Sequence, residues 1–199
     1  MTRAFRSTQT AVACLGIATL LACGGGGGGG STPTPPKTIA DSLNYTNPTR
    51  GNYRLTRNSA STSTHLVLDL VGPSSGTAHG IAAIFTIGGS AAVWSKVASS
   101  DALHVQNGPF TLGAAPQMLV GKVTGSQLQV GLFQRRTADT AVNLNQTLAR
   151  IAVDLAPNTP VNTPITLTAA KGSVLLADGT LVDLSLSPNQ IAIGTLTAN

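Results

Sequence analysis

The chain has 199 residues, 42% of them apolar and only 10% charged, and twelve lysines and arginines against seven acids give a net charge of +5. So apolar a composition with so little charge excludes a chain kept unfolded by its own charge. All seven acids are aspartates. Without glutamate, and with Lys, Arg and Gln sparse, the best surface helix formers are missing while Thr, Val, Ser, Gly and Leu abound, which excludes a helical bundle and favours β structure.

Residues 1–22 combine a basic start (Arg3, Arg6), a short apolar run from Ala11 to Ala22 and small residues at its end. This is the three-part pattern of a secretory signal, and the run is too short to span a membrane comfortably. At its end, Leu20-Leu21-Ala22-Cys23 resembles the lipobox of bacterial lipoproteins. That resemblance implies cleavage after Ala22 and diacylation of Cys23. Each methylene buried in the bilayer supplies about 0.8 kcal/mol, so two or more acyl chains hold a protein on a membrane it does not cross.

Seven glycines follow, Gly24 to Gly30, and then Ser-Thr-Pro-Thr-Pro-Pro-Lys. Oligoglycine holds no conformation and the proline-rich part favours extended polyproline, so residues 23–40 read as the lipidated cysteine and a tether reaching roughly 20–25 Å. The run satisfies the Gly-x-Gly-x-x-Gly spacing trivially, but no strand precedes it and no helix follows, so a dinucleotide site is excluded. Cys14 and Cys23 both lie at or before the cleavage point. Residues 24–199 therefore have no disulfide, thiolate metal site or cysteine nucleophile, and stability must come from the core. Removal of Arg3 and Arg6, with no acid lost, lowers the net charge to +3. Only Arg50-Arg54-Arg57 and Arg135-Arg136 cluster, so no nucleic-acid partner is expected.

From Tyr53 onward the apolar residues alternate in short runs separated by Gly, Pro, Asn and Asp. Residues 64–71 place Leu66, Leu68 and Leu70 on one face with His65 and Asp69 on the other, and residues 80–87 align Ile81, Ala83, Phe85 and Ile87. Further strands are expected over 92–98, 118–124, 127–134, 147–155, 164–170, 173–177, 180–186 and 190–196. Asp178-Gly179 fits a type I′ hairpin turn, Gly125-Ser126 a second tight hairpin, and residues 157–164, with Pro157, Pro160 and Pro164, a loop. Strands every eight to twelve residues without helical crossovers predict an all-β, antiparallel, jelly-roll-like sandwich of about nine strands over residues 41–199.

The order of Gly76-Thr-Ala-His-Gly80-Ile-Ala-Ala-Ile-Phe-Thr-Ile87, Leu128-Gln-Val-Gly-Leu-Phe133, Leu148-Ala-Arg-Ile-Ala-Val-Asp-Leu155 and Pro164-Ile-Thr-Leu-Thr with Ala177-Asp-Gly179 resembles a cohesin-type domain over residues 64–197. That family is a nine-stranded jelly roll related to carbohydrate-binding modules. Its members bind the calcium-binding repeats of dockerins through a sheet face rich in polar and acidic residues. This chain is poor in acids, so the resemblance carries over the fold and the role of a binding module, and no binding residue.

The chemistry-bearing residues are few. His65 falls on an outer strand face, His79 in a Gly-flanked loop and His104 in an irregular stretch; His65 and Asp69, four residues apart on one strand, stand about 13 Å from each other. Gly88-Gly89-Ser90-Ala91-Ala92 lacks the last glycine of a nucleophile elbow. Seven scattered aspartates offer neither a glycosidase pair nor a calcium loop, Asp154 reading as solvated and Asp178 as a turn residue. No cofactor or metal is expected. Trp94, the single tryptophan, and Tyr53, beside Arg54 and Arg57, are the candidate binding residues; buried positions for them are the competing reading.

These features add up to a lipid-anchored, non-catalytic lipoprotein of the bacterial cell envelope, on an outer membrane facing the periplasm or the cell surface. Its sandwich binds an envelope protein partner. A polysaccharide-binding accessory module is the alternative and requires Trp94 and a tyrosine exposed on one face. A hydrolase would require His and Asp within hydrogen-bond reach in a cleft.

Overall fold

The computed structural model describes residues 37–110, 118–134 and 140–199. The signal, the lipobox with Leu20, Leu21, Ala22 and Cys23, the glycine run and the Arg135-Arg136 pair lie outside the described residues. One sheet runs in the order β1 (Leu43–Thr46), β14 (Thr195–Ala198), β11 (Thr163–Leu176), β4 (Thr77–Gly88), β8 (Gln127–Phe133) and β7 (Met118–Thr124). β12 (Leu181–Asp183) flanks β11, and β9 (Val142–Asn143) flanks β4. The second sheet is β13 (Ile191–Ala192), β2 (Tyr53–Arg57), β3 (His65–Val71), β10 (Thr147–Leu155) and β5 (Ala92–Ser95), with β6 (Gln106–Asn107) also on β10. All pairings are antiparallel except β13 with β2.

The two-residue period decides which side chains meet. Leu66, Leu68 and Leu70 of β3 and Ile151 and Val153 of β10 are fully buried, and they share one core with Ile81 and Phe85 of β4 and Leu128 of β8. Each such side chain contributes about 1.5–3 kcal/mol relative to exposure. Phe110, Leu144 and Leu184 lie between strands yet are fully buried, so the connections also supply core.

Fourteen strand segments stand where about nine strands were expected. The expected strand at 190–196 splits into β13 and β14 in opposite sheets, because the chain crosses over at Ile193-Gly194. A Cβ at Gly194 would lie 1.8 Å from the Thr46 carbonyl oxygen, so only glycine permits this close crossing. Conversely, 164–170 and 173–177 fuse into the single strand β11, where a bulge between Ala169 and Lys171 absorbs the change of phase. The Asp178-Gly179 turn departs from type I′: Gly179 has φ +84 but Asp178 is not among the positive-φ residues. Leu176 N–H instead donates to Thr180 O at 2.9 Å around a three-residue loop with glycine in the left-handed position.

The tether was expected to run to residue 40, but the sandwich captures the chain earlier. Ile39 bridges Pro160, and Ala40 N–H donates to Thr159 O at 2.8 Å. The chain therefore enters at the end of the sandwich that carries the β10–β11 loop, where Asn199 also lies, its N–H donating to Ser42 O.

Candidate functional site

The aromatic residues singled out from sequence face inward. Trp94 is 8% exposed and Tyr53 3%. Trp94 sits on the inner side of β5, where Nε1–H donates to Ser126 O at 2.7 Å and its ring meets Phe85 at 6.5 Å. Tyr45 is buried as well, its hydroxyl donating to Leu55 O and accepting from Gly194 N–H. Burial raises the pKa of both tyrosines above the ordinary phenol value. A sugar platform needs exposed ring faces, and none of these three supplies one. Alternation turns both Trp94 and Tyr53, the residues expected to bind ligand, toward the core, and Trp94 also borders a cavity beside β5.

The outer face of the second sheet carries two cross-strand pairs that sequence separation hides. Asp154 lies opposite His65 in the β10–β3 register, and Arg150 lies opposite Asp69. His65 Nδ1 is 2.5 Å from Asp154 Oδ1, and Arg150 Nε–H donates to Asp69 Oδ1 at 2.9 Å. Asp69 also accepts from Asn58 Nδ2 at 2.7 Å. His65 was expected without a near acid, and the register overturns that; Asp154, expected in solvent, remains 42% exposed at its side chain while facing His65.

A cavity of about 570 Å³ beside this pair is lined by Thr62, His65, Ser95, Lys96, His104 and Asp154, among others. Its geometry suits structure better than hydrolysis. His65 Nε2 faces Val97 O at 3.1 Å while Nδ1 faces Asp154, so both ring nitrogens are engaged by oxygens and neither faces a nucleophilic hydroxyl or thiol among the described residues. The ring ties the segment after β5 to the sheet. Farther along, His104 N–H donates to Gly121 O on β7, so this segment links the edges of the two sheets. His79 lies within β4, not in a loop, and is buried with Nδ1 against Gln134 Oε1. Among the described residues no group of three or more His, Cys, Asp or Glu could hold a metal ion.

The outer face of the first sheet is of a different kind. Register places Met118, Phe133, Gly80, Leu175 and Leu181 in one row across β7, β8, β4, β11 and β12. The next row is Val120, Gly131, Ala82, Ser173 and Asp183, and the third is Lys122, Gln129, Ile84 and Lys171. Leu181 is 68% exposed, Met118 48% and Val120 38%. The Phe133 ring lies over the two glycines: a Cβ on Gly80 would come within 2.5 Å of it and one on Gly131 within 3.1 Å. Those glycines keep the centre of the band low. Between β4 and β12 it deepens to a groove of about 510 Å³ lined by Ala82, Ile84, Lys171, Ser173, Leu181 and Asp183, among others. The Asp183 carboxylate accepts from the Ser185 hydroxyl and N–H, which lowers its pKa and keeps it ionised. Sequence pattern shows each strand's outward residues but not which strands are neighbours, so this band emerges only from the topology.

No protein-family model and no curated protein matches the chain. Solved structures do match. The sixth cohesin of scaffoldin B from Acetivibrio cellulolyticus, determined in complex with a dockerin, aligns with a TM-score of 0.52 and 10% identity over 73% of this chain and 97% of its own. A type II cohesin domain from the cellulosome of the same organism aligns with a TM-score of 0.52 and 8% identity over 81% of this chain and 95% of its own. At such identities the likeness is one of fold: the chain is an all-β sandwich of the cohesin type.

Proposed function

We propose that this protein is a non-catalytic binding module that docks a protein partner on the outer face of β7, β8, β4, β11 and β12, and that lipid on Cys23 holds it to a membrane of the bacterial envelope. The observation that carries the docking reading is the row of Met118, Phe133, Leu175 and Leu181 beside the small residues Gly131, Ala82 and Ser173. An apolar band gathered on one face of a soluble sandwich marks an interaction surface more often than a functionless one. It spans four strand spacings, about 19 Å, enough to seat a helix about 10 Å in diameter. The scaffoldin B cohesin of the same fold was determined in complex with a dockerin, which supports a protein as the ligand. The anchor rests on the signal, the lipobox and the glycine tether.

Both parts are tested with the full chain in its own envelope. Ala82 points outward from mid-band, so Ala82→Arg should fill the docking surface without entering the core. The variant should melt like wild type and lose the protein that wild type co-purifies from solubilised envelopes. Unchanged co-purification would remove the face from the proposal. Cys23→Ala should leave the membrane fraction, and a variant still firmly membrane-bound would overturn the anchor.

A further inference from the structure

The charge on this face indicates the chemistry of the partner, an inference that rests on the docking reading above. Lys122 on β7 and Lys171 on β11 occupy one cross-strand row, separated by Gln129 and Ile84. Both are exposed, and neither has an ion-pair partner among the described residues. Among the other described cations, Arg150 pairs with Asp69, Lys37 with Asp41, and the Arg57 guanidinium donates to Leu43 O and Thr62 O, while Arg50, Arg54 and Lys96, which also lack an ion pair among the described residues, lie off this row. Three strand spacings put the two lysines about 14 Å apart. They border the apolar band on one side only. Asp183, the acid at the far edge of the groove, is held by Ser185 and stands in the neighbouring row, at the end of β12.

We infer that the partner is a protein segment with an apolar stripe edged by carboxylates on one side, laid across the strands so that its acids meet Lys122 and Lys171. An uncharged or basic stripe would leave two ammonium groups unpaired at the rim of a desolvated contact, which disfavours wrong partners and slows encounter. On a helix, carboxylates about 14 Å apart lie two to three turns from one another at about 5.4 Å per turn.

The test is zero-length carbodiimide coupling on intact envelopes carrying the full-length protein, which joins lysines only to carboxylates in direct contact, with the linked residues read by mass spectrometry. Lys122 and Lys171 should couple to Asp or Glu of a second protein, and 0.5 M salt should reduce the yield because exposed pairs are screened. The double variant Lys122→Glu/Lys171→Glu should co-purify roughly tenfold less partner with an unchanged melting curve, whereas Lys122→Arg/Lys171→Arg should retain it. If Ala82→Arg abolishes co-purification but the double reversal does not alter it, the face stands and the acidic partner is wrong. Coupling of these lysines only to aspartates of another copy of this chain would also overturn the inference. If neither the Ala82→Arg nor the double-reversal variant changes co-purification, the docking reading itself fails.

Discussion

Single residues illustrate how far alternation carries and where it stops. Trp94 alternates with exposed Val93 and intermediate Ser95, and the period alone cannot say which side of an edge strand is the inner one; the Phe85 contact and the bond to Ser126 decide it. His65 and Asp154 are 89 residues apart in sequence, so their pairing follows only from the β3–β10 register. The tyrosines lead to a prediction about pH. Unfolded, Tyr45 and Tyr53 ionise near 10.0, and burial raises both pKa values in the folded state. Above that pH the unfolded chain has released protons that the folded chain retains, so stability is full below about 10 and falls as the pH rises further. Tyr53→Phe removes one of these groups and should flatten the alkaline limb of a urea-midpoint against pH curve. An unchanged limb would show that Tyr53 ionises alike in both states.

Among the elements, β7 and β10 have the bounds expected from sequence: β7 alternates throughout, and β10 is a dense apolar run whose register slips once, between Thr147 and Ala149. β1 and β9 were not anticipated: four and two residues hold too few periods to stand out from a loop. The break anticipated in β11 is a bulge, which looks like a turn in sequence because both add one residue to the count. The link between sheet edges depends on Gly121. A Cβ there would meet the Val105 side chain at 2.5 Å and its backbone nitrogen at 2.8 Å. Gly121→Ala should therefore push the segment from Lys96 to Val105 off β7 and cost about 1–3 kcal/mol, as overpacking does. Hydrogen exchange is the sensitive measure: the His104 amide, which donates to Gly121 O, should exchange faster while core amides of β4 do not. An unchanged His104 rate would place the compensation elsewhere.

For the molecule as a whole, composition correctly indicated an all-β sandwich, and the absence of cysteine after residue 23 left hydrophobic burial as its main support. Reductant should accordingly leave the melting temperature of residues 24–199 unchanged. A drop would require a covalent link that residues 24–199 have no thiol to make. What composition and period could not convey was the assembly of five strands' outward residues into one apolar band, since strand order is a long-range property. The entry of the chain beside the β10–β11 loop has a mechanical consequence. A pull arriving through residue 37 acts along β1, whose four residues pair with Thr195–Ala198, while Ala40 and Asp41 donate to Thr159 O and Asn199 O. Antiparallel hydrogen bonds lie across the strand axis, so such a load shears them together instead of peeling them one at a time. A load applied between residue 37 and the rest of the sandwich would therefore be resisted by the whole β1–β14 seam at once.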